Sequence, residues 1–127
     1  MNGSGRFSEL AFSLMRFFFG LLFACHGAQK LFGMFGGRAV TGVPLMLVAG
    51  IIEFGGGLLI AVGLFTRIAA FLASGEMAVA YFKSHAPHGL WPIQNKGEAA
   101  VLFCFAFLFI AVYGAGRHSL DRVLHRR

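Results

Sequence analysis

The feature that most constrains the fold of this chain is an apolar run over residues 16–34, RFFFGLLFACHGAQKLFGM. The run is long enough to cross a lipid bilayer as a helix, yet it carries Arg16, His26 and Lys30. At about 100° per residue, these three positions fall within roughly 80° of arc on a helix. Because a cation inside a bilayer must face protein or water, we expect this face to point into a helical bundle.

The composition places the chain among integral membrane proteins. Of its 127 residues, 57% are hydrophobic and 13% are charged, and the mean hydropathy is +0.74. A chain of this length accommodates about four helices of roughly 20 residues with short connections. The sequence therefore predicts an all-α protein, a four-helix integral membrane bundle that forms one domain over residues 1–127. The net charge of +6 is spread over loops and tails, which argues against a nucleic-acid partner.

Four spans are predicted, at about residues 10–35, 43–65, 67–83 and 98–116. Gly36 and Gly37 close the first span, and Pro44 suits the first turn of the second. Thr66 and Arg67 form the tightest connection, so we expect the second and third spans to be antiparallel neighbours. Residues 84–97 indicate an irregular interfacial loop. In the basic tail, Ser119 and Asp121 are expected to cap a surface helix.

The basic residues that flank the spans predict the orientation. Bases concentrate on one side of the predicted membrane, where the sequence has Arg6, Arg67, Arg117, Arg122, Arg126 and Arg127. The other side carries Arg38, Lys83 and Lys96. By the positive-inside rule, both termini are expected in the cytoplasm.

Three acids complement the basic face of the first span. Glu53 and Glu76 lie near mid-membrane in the second and third spans, on faces rich in small residues, and Glu98 opens the last. We expect these acids to cluster with His26 and Lys30 in the outer half of the bundle. The candidate catalytic residues are Glu53, Glu76 and His26. The candidate ligand-binding residues are Lys30, His26, Glu98 and the only tryptophan, Trp91.

Two interpretations of this cluster remain open. The charges can simply pair and fix the register of the helices, or they can line a polar cavity for a ligand, proton or metal. His26, His85 and His88 are weak metal candidates, because the two loop histidines would need further ligands, so no metal site is predicted. Arg16 stands apart from the cluster and is expected to make a structural contact, either an ion pair with Asp121 or a bond to a backbone carbonyl.

Several motifs, in order and spacing, resemble those of the DoxX family. They are Arg16 with Gly20, HGxxK at 26–30, Glu53 followed by Gly56 and Gly57, GLFTR at 63–67, Glu98, and GxGRxSLD at 114–121. The resemblance implies a four-helix protein of the bacterial inner membrane. The family is named after a subunit of a quinone-linked sulfur-oxidising system, and its members are associated with membrane redox or oxidative-stress functions.

The leading hypothesis is a small redox protein or subunit whose outer pocket binds a quinone. Lys30 or His26 would donate to a carbonyl oxygen and a glutamate would exchange the proton. No tightly bound cofactor is implied. A non-catalytic membrane subunit that recruits a redox enzyme, and a carrier of a metal or small molecule, are the alternatives. The expected partners are the lipid bilayer, a redox protein and a second copy of the chain.

Overall fold

The computed structural model describes residues 3–39 and 42–124, and these residues are all helical or irregular, with no strand. The prediction of an all-α protein is confirmed. The helices are α1 (Gly3–Phe32), α2 (Pro44–Val62), α3 (Thr66–Ala80), α4 (Pro92–Asn95), α5 (Glu98–Tyr113) and α6 (Leu120–Leu124). Helix α2 contains a π-helical segment, Ile52–Gly56, and α3 continues into a π turn, Tyr81–His85, and a 3₁₀ turn, Ala86–His88.

The helix ends differ from the predicted ones, and left-handed backbone explains three of the differences. Helix α1 ends at Phe32 and not near 35, because Gly33 has a φ of 69°. Helix α2 ends at Val62 and not at 65. There the N–H of Gly63, whose φ is 74°, donates to the Ile60 carbonyl, and the N–H of Leu64 donates to the Leu59 carbonyl. Helix α5 ends before Gly114, whose φ is 102°.

Helix α1 begins at Gly3, before the predicted span at about residue 10, and Thr66 and Arg67 form the first turn of α3 instead of the connection. The predicted loop 84–97 contains short helical turns, and Asn95 holds it together. The Asn95 amide donates to the Tyr81 hydroxyl and the Gly89 carbonyl, and its side-chain oxygen accepts from the Gly97 N–H.

Helices α1 and α2 run antiparallel at backbone contact through their glycines. A Cβ built on Gly57 would lie 2.5 Å from the Ala24 nitrogen and 2.6 Å from the Gly20 carbonyl oxygen. Gly27 packs equally tightly on the backbone of Phe54. Glycine is required at these positions because a methyl group would push the two helices apart.

Helices α3 and α5 form the second antiparallel pair, which an aromatic cluster joins to α1. Ser74 of α3 donates to the Cys104 carbonyl of α5 at 2.7 Å. Between α1 and α5, the rings of Phe23 and Phe107 lie 4.7 Å apart and both side chains are fully buried. Phe12 and Tyr113 repeat this contact at the other end of α1, with ring centroids 4.4 Å apart.

The outer surface of the helices is mostly apolar. Among the described residues, more of the large hydrophobic side chains are exposed than buried, and Phe71, Phe82 and Phe105 are examples of exposed ones. By length and composition, residues Gly5–Phe32 and Pro44–Val62 form helices that can cross a membrane, and Glu98–Tyr113 is a shorter apolar helix. A surface of this kind suits contact with lipid.

Candidate functional site

The site is built around a buried ion pair between α1 and α2. The Lys30 ammonium lies 2.7 Å from Glu53 Oε1, and the side chain of Glu53 is 1% exposed whereas that of Lys30 is 25% exposed. The contact depends on small residues, because Gly27 lets the backbones of the two helices approach and Gly50 leaves space for the side chains of Leu31 and Lys30. Glu53 belongs to the π-helical segment of α2. Segments of this kind are rare and recur at functional sites.

Glu76 brings a second carboxyl group to this pair. It lies on α3, and its side chain interacts electrostatically with both Glu53 and Lys30. Glu76 Oε1 is buried and has no hydrogen-bond partner within the described residues. An unpaired buried oxygen is unfavourable by about 1–3 kcal/mol, so this atom is available to accept a hydrogen bond from a ligand. We call Lys30, Glu53 and Glu76 the carboxylate cluster.

The other predicted members of the site lie outside this cluster. His26 is exposed, and its ring meets the edge of Phe103 with centroids 5.8 Å apart. Glu98 is exposed at the first turn of α5, and Trp91 is 61% exposed in the loop before α4. Across the described residues, no hydrogen bond connects these three side chains to Lys30, Glu53 or Glu76. Their roles in binding stay predictions.

The loop histidines lie beside Asn95 at the surface of the bundle. His85 Nδ1 lies 3.1 Å from the Asn95 carbonyl oxygen. His85 and His88 share the lining of a cavity of about 420 Å³ with Asn95 and Lys96. Within the part of the chain that the structure describes, no three histidine, cysteine, aspartate or glutamate side chains converge as metal ligands.

Arg16 lies at the opposite end of the helix pair from the carboxylate cluster, as predicted, and is 3% exposed. Its guanidinium donates to backbone carbonyls at the end of α2 and in the segment after α5, namely those of Ile60, Ala61, Ala115 and His118. It also interacts electrostatically with Asp121. Carbonyl groups at a helix C-terminus favour a cation, so this position stabilises the arginine without a carboxylate in direct contact.

Sequence reasoning missed how Asp121 and Arg67 connect the helices. The Asp121 carboxylate accepts hydrogen bonds from the N–H groups of Phe65 and Thr66, so it caps α3 from 55 residues away. Arg67 donates to three carbonyls of the last turn of α5. The prediction for Ser119 is confirmed, since its hydroxyl accepts from the Arg122 N–H at the start of α6.

The fold and the cluster define the class of this molecule. It is a small helical membrane protein with an ion pair and a second carboxyl group between helices whose outer faces are apolar.

Within that class, the chain belongs to the DoxX family, whose sequence pattern matches residues 11–86. The match includes Arg16, the HGxxK motif, Glu53 and GLFTR, and it confirms the resemblance. Glu98 and the GxGRxSLD motif lie beyond the matched segment.

Two relatives share most of the chain. An uncharacterized protein of Haemophilus influenzae is 39% identical over 134 residues, covering 100% of both chains. The inner membrane protein YqjF of Escherichia coli is 30% identical over 113 residues, covering 84% of this chain and 86% of its own. No solved structure matches the chain.

Proposed function

We propose that this protein is a multi-pass inner-membrane protein that binds a quinone or a similar small redox ligand at the carboxylate cluster. The inner-membrane location is supported by the name of the Escherichia coli relative and by the apolar surface of the helices. The single observation that carries the binding proposal is Glu76 Oε1, a buried carboxyl oxygen without a hydrogen-bond partner beside a satisfied ion pair.

The chemistry of the cluster suits a ligand that exchanges protons. An ammonium group has three donors, and within the described residues one of those of Lys30 is used, by Glu53. A second can donate to a quinone carbonyl oxygen, and Glu76 can accept from a quinol hydroxyl.

In this proposal the chain handles protons and a partner handles electrons. Conversion of a quinone to a quinol takes up two electrons and two protons. The electrons come from a redox protein that docks on the membrane surface, and the glutamates deliver protons to the two carbonyl oxygens. The protein is then a subunit of a quinone-linked oxidoreductase.

The proposal is tested by measuring binding of a short-chain quinone to the purified protein by equilibrium dialysis. The double variant Lys30→Met/Glu53→Gln removes both charges of the ion pair and leaves no unpaired ion behind. We expect at least a tenfold loss of quinone affinity in this variant, which removes the ammonium donor, and in Glu76→Gln, which replaces the proton-exchanging carboxyl group by an amide.

Glu98→Gln is the matched control, since it removes a carboxylate that is exposed and outside the cluster. It should bind quinone like the unmodified protein. Unchanged quinone affinity in both cluster variants, with their thermal stability retained, would contradict the proposal.

A non-catalytic subunit is the second candidate, and the glycine faces favour it. A Cβ on Gly55, Gly56 or Gly75 would meet nothing within 4 Å, so α2 and α3 present small residues on open surface. Such faces let a partner helix approach closely. Co-purification of a stoichiometric redox enzyme whose activity survives the cluster variants would support this candidate over quinone binding.

A further inference from the structure

A second cavity lies at the end of the molecule opposite the carboxylate cluster. It has a volume of about 680 Å³, and it is bounded by the first turn of α3, the last turn of α5 and the segment that leads into α6. Its lining includes the basic residues Arg67, Arg117 and Arg122. We call it the arginine cavity.

The charges of the arginine cavity favour an anion. Two acids, Glu9 and Asp121, also line it, but their oxygens already accept hydrogen bonds. Glu9 accepts from the Tyr113 hydroxyl and the Arg117 N–H, and Asp121 accepts from the first N–H groups of α3. Across the described residues, the guanidinium groups of Arg117 and Arg122 make no hydrogen bond. The cavity therefore offers unused donors and an excess of positive charge.

Thr66 supplies an independent indication of a ligand. It lines the cavity at the start of α3, it is 1% exposed, and its hydroxyl has no hydrogen-bond partner within the described residues. A buried hydroxyl is normally paired, so an unpaired one that shares a cavity with two guanidinium groups without hydrogen bonds in the described residues is the arrangement expected of a site for an oxyanion.

The rim of the cavity indicates which oxyanion it suits. Phe65 and Ile68 line it too, and they are 62% and 66% exposed. An apolar rim next to arginines matches a phospholipid, which carries acyl chains beside a phosphate. We propose that the arginine cavity binds the phosphate of an anionic phospholipid, with Arg117 and Arg122 on the phosphate oxygens and the Thr66 hydroxyl as a further donor. This site is independent of the quinone proposal.

The test measures phosphatidylglycerol binding to the full chain in an uncharged detergent by native mass spectrometry. We expect the double variant Arg117→Gln/Arg122→Gln to bind phosphatidylglycerol at least tenfold more weakly. The double variant Arg38→Gln/Lys96→Gln loses the same charge from loops at the opposite end of the helices and should bind like the unmodified chain. Equally weakened phosphatidylglycerol binding in both variants would show that net charge alone determines the affinity, and it would overturn the proposal.

Competing probes identify the source of the phosphate. Phosphatidylcholine, which has the same acyl chains but no net charge, should bind at least tenfold more weakly than phosphatidylglycerol. Inorganic phosphate should not displace the lipid at equal concentration. Displacement by inorganic phosphate would overturn the lipid assignment.

Thr66→Val separates a ligand contact from a structural role. The substitution keeps the shape of the side chain and removes a hydroxyl that has no partner in the described residues. We expect unchanged thermal stability without lipid and a threefold or greater loss of phosphatidylglycerol affinity, restored by Thr66→Ser. Unchanged lipid affinity in Thr66→Val would overturn the proposed hydrogen bond.

Discussion

At the residue scale, the protein stabilises two cations among its apolar helices, Arg16 and Lys30, in two different ways. Arg16 donates to backbone carbonyls, and its geometry is fixed by a guanidinium fork with several donors. Lys30 instead forms a single close ion pair with Glu53. A cation with four of its five N–H donors bonded to backbone carbonyls is structural, whereas an ion pair next to an unpaired carboxyl oxygen offers an acceptor to a ligand.

Replacement of Arg16 tests its structural role. Arg16→Met leaves the carbonyls of Ile60 and Ala61 without this donor, and we expect the free energy of unfolding to fall by about 3 kcal/mol. Arg16→Lys keeps the charge but loses the forked guanidinium group, so its free energy of unfolding should lie between those of Arg16→Met and the unmodified protein. Thermal unfolding in detergent measures both. Arg38→Gln, an exposed control, should have no effect, and a stable Arg16→Met protein would contradict the structural role.

At the element scale, the distance between α1 and α2 decides where Lys30 can reach. Gly20 and Gly57 hold the two backbones in contact, and the same approach at Gly27 places the Lys30 side chain against Glu53. The glycines therefore act on the site indirectly, by setting the spacing of the helices that carry it.

Substitution of one glycine at a time tests this dependence. Gly57→Ala places a methyl group 2.5 Å from the Ala24 nitrogen, so we expect the free energy of unfolding to fall by about 1–3 kcal/mol. Gly75→Ala on α3 meets nothing within 4 Å and should be neutral or stabilising by about 0.5–1 kcal/mol. Thermal unfolding in detergent compares the two. Equal effects would show that helix propensity, and not helix contact, determines the stability.

At the scale of the whole molecule, the two sites lie at opposite ends of the helices. The carboxylate cluster lies in the half of α1 that holds Lys30, and the arginine cavity lies where α5 ends and α6 begins. The arginine distribution predicts that the second end faces the cytoplasm, although Arg126 and Arg127 lie outside the described residues.

Labelling of single cysteines tests this orientation. In a background with Cys25→Ala and Cys104→Ala, we expect Lys96→Cys to react with a membrane-impermeant maleimide on intact cells. Arg122→Cys should react only after the inner membrane is opened, because the positive-inside rule places it in the cytoplasm. Labelling of Arg122→Cys on intact cells would contradict the predicted topology.

The sequence by itself determined the helical class and the family. These follow from local patterns: apolar length, spacing of 3.6 residues per turn, and motif order. It also indicated that Arg16 is separate from Lys30, since the two lie 14 positions apart in the sequence, which is about 21 Å along a helix. Three helices, α1, α2 and α5, end a few residues before the predicted spans do, because a glycine with left-handed backbone follows each helix.

Only the tertiary structure decided which charged residues meet. Glu53, Glu76 and Glu98 were all expected to cluster with Lys30, but the backbone contact at Gly27 brings Glu53 to 2.7 Å while Glu98 remains exposed. In the same way, Asp121 caps α3 from a distant part of the chain. Contacts of this kind depend on the distance between two helices and on the register in which they pack. The spacing of residues along a single helix determines neither of these.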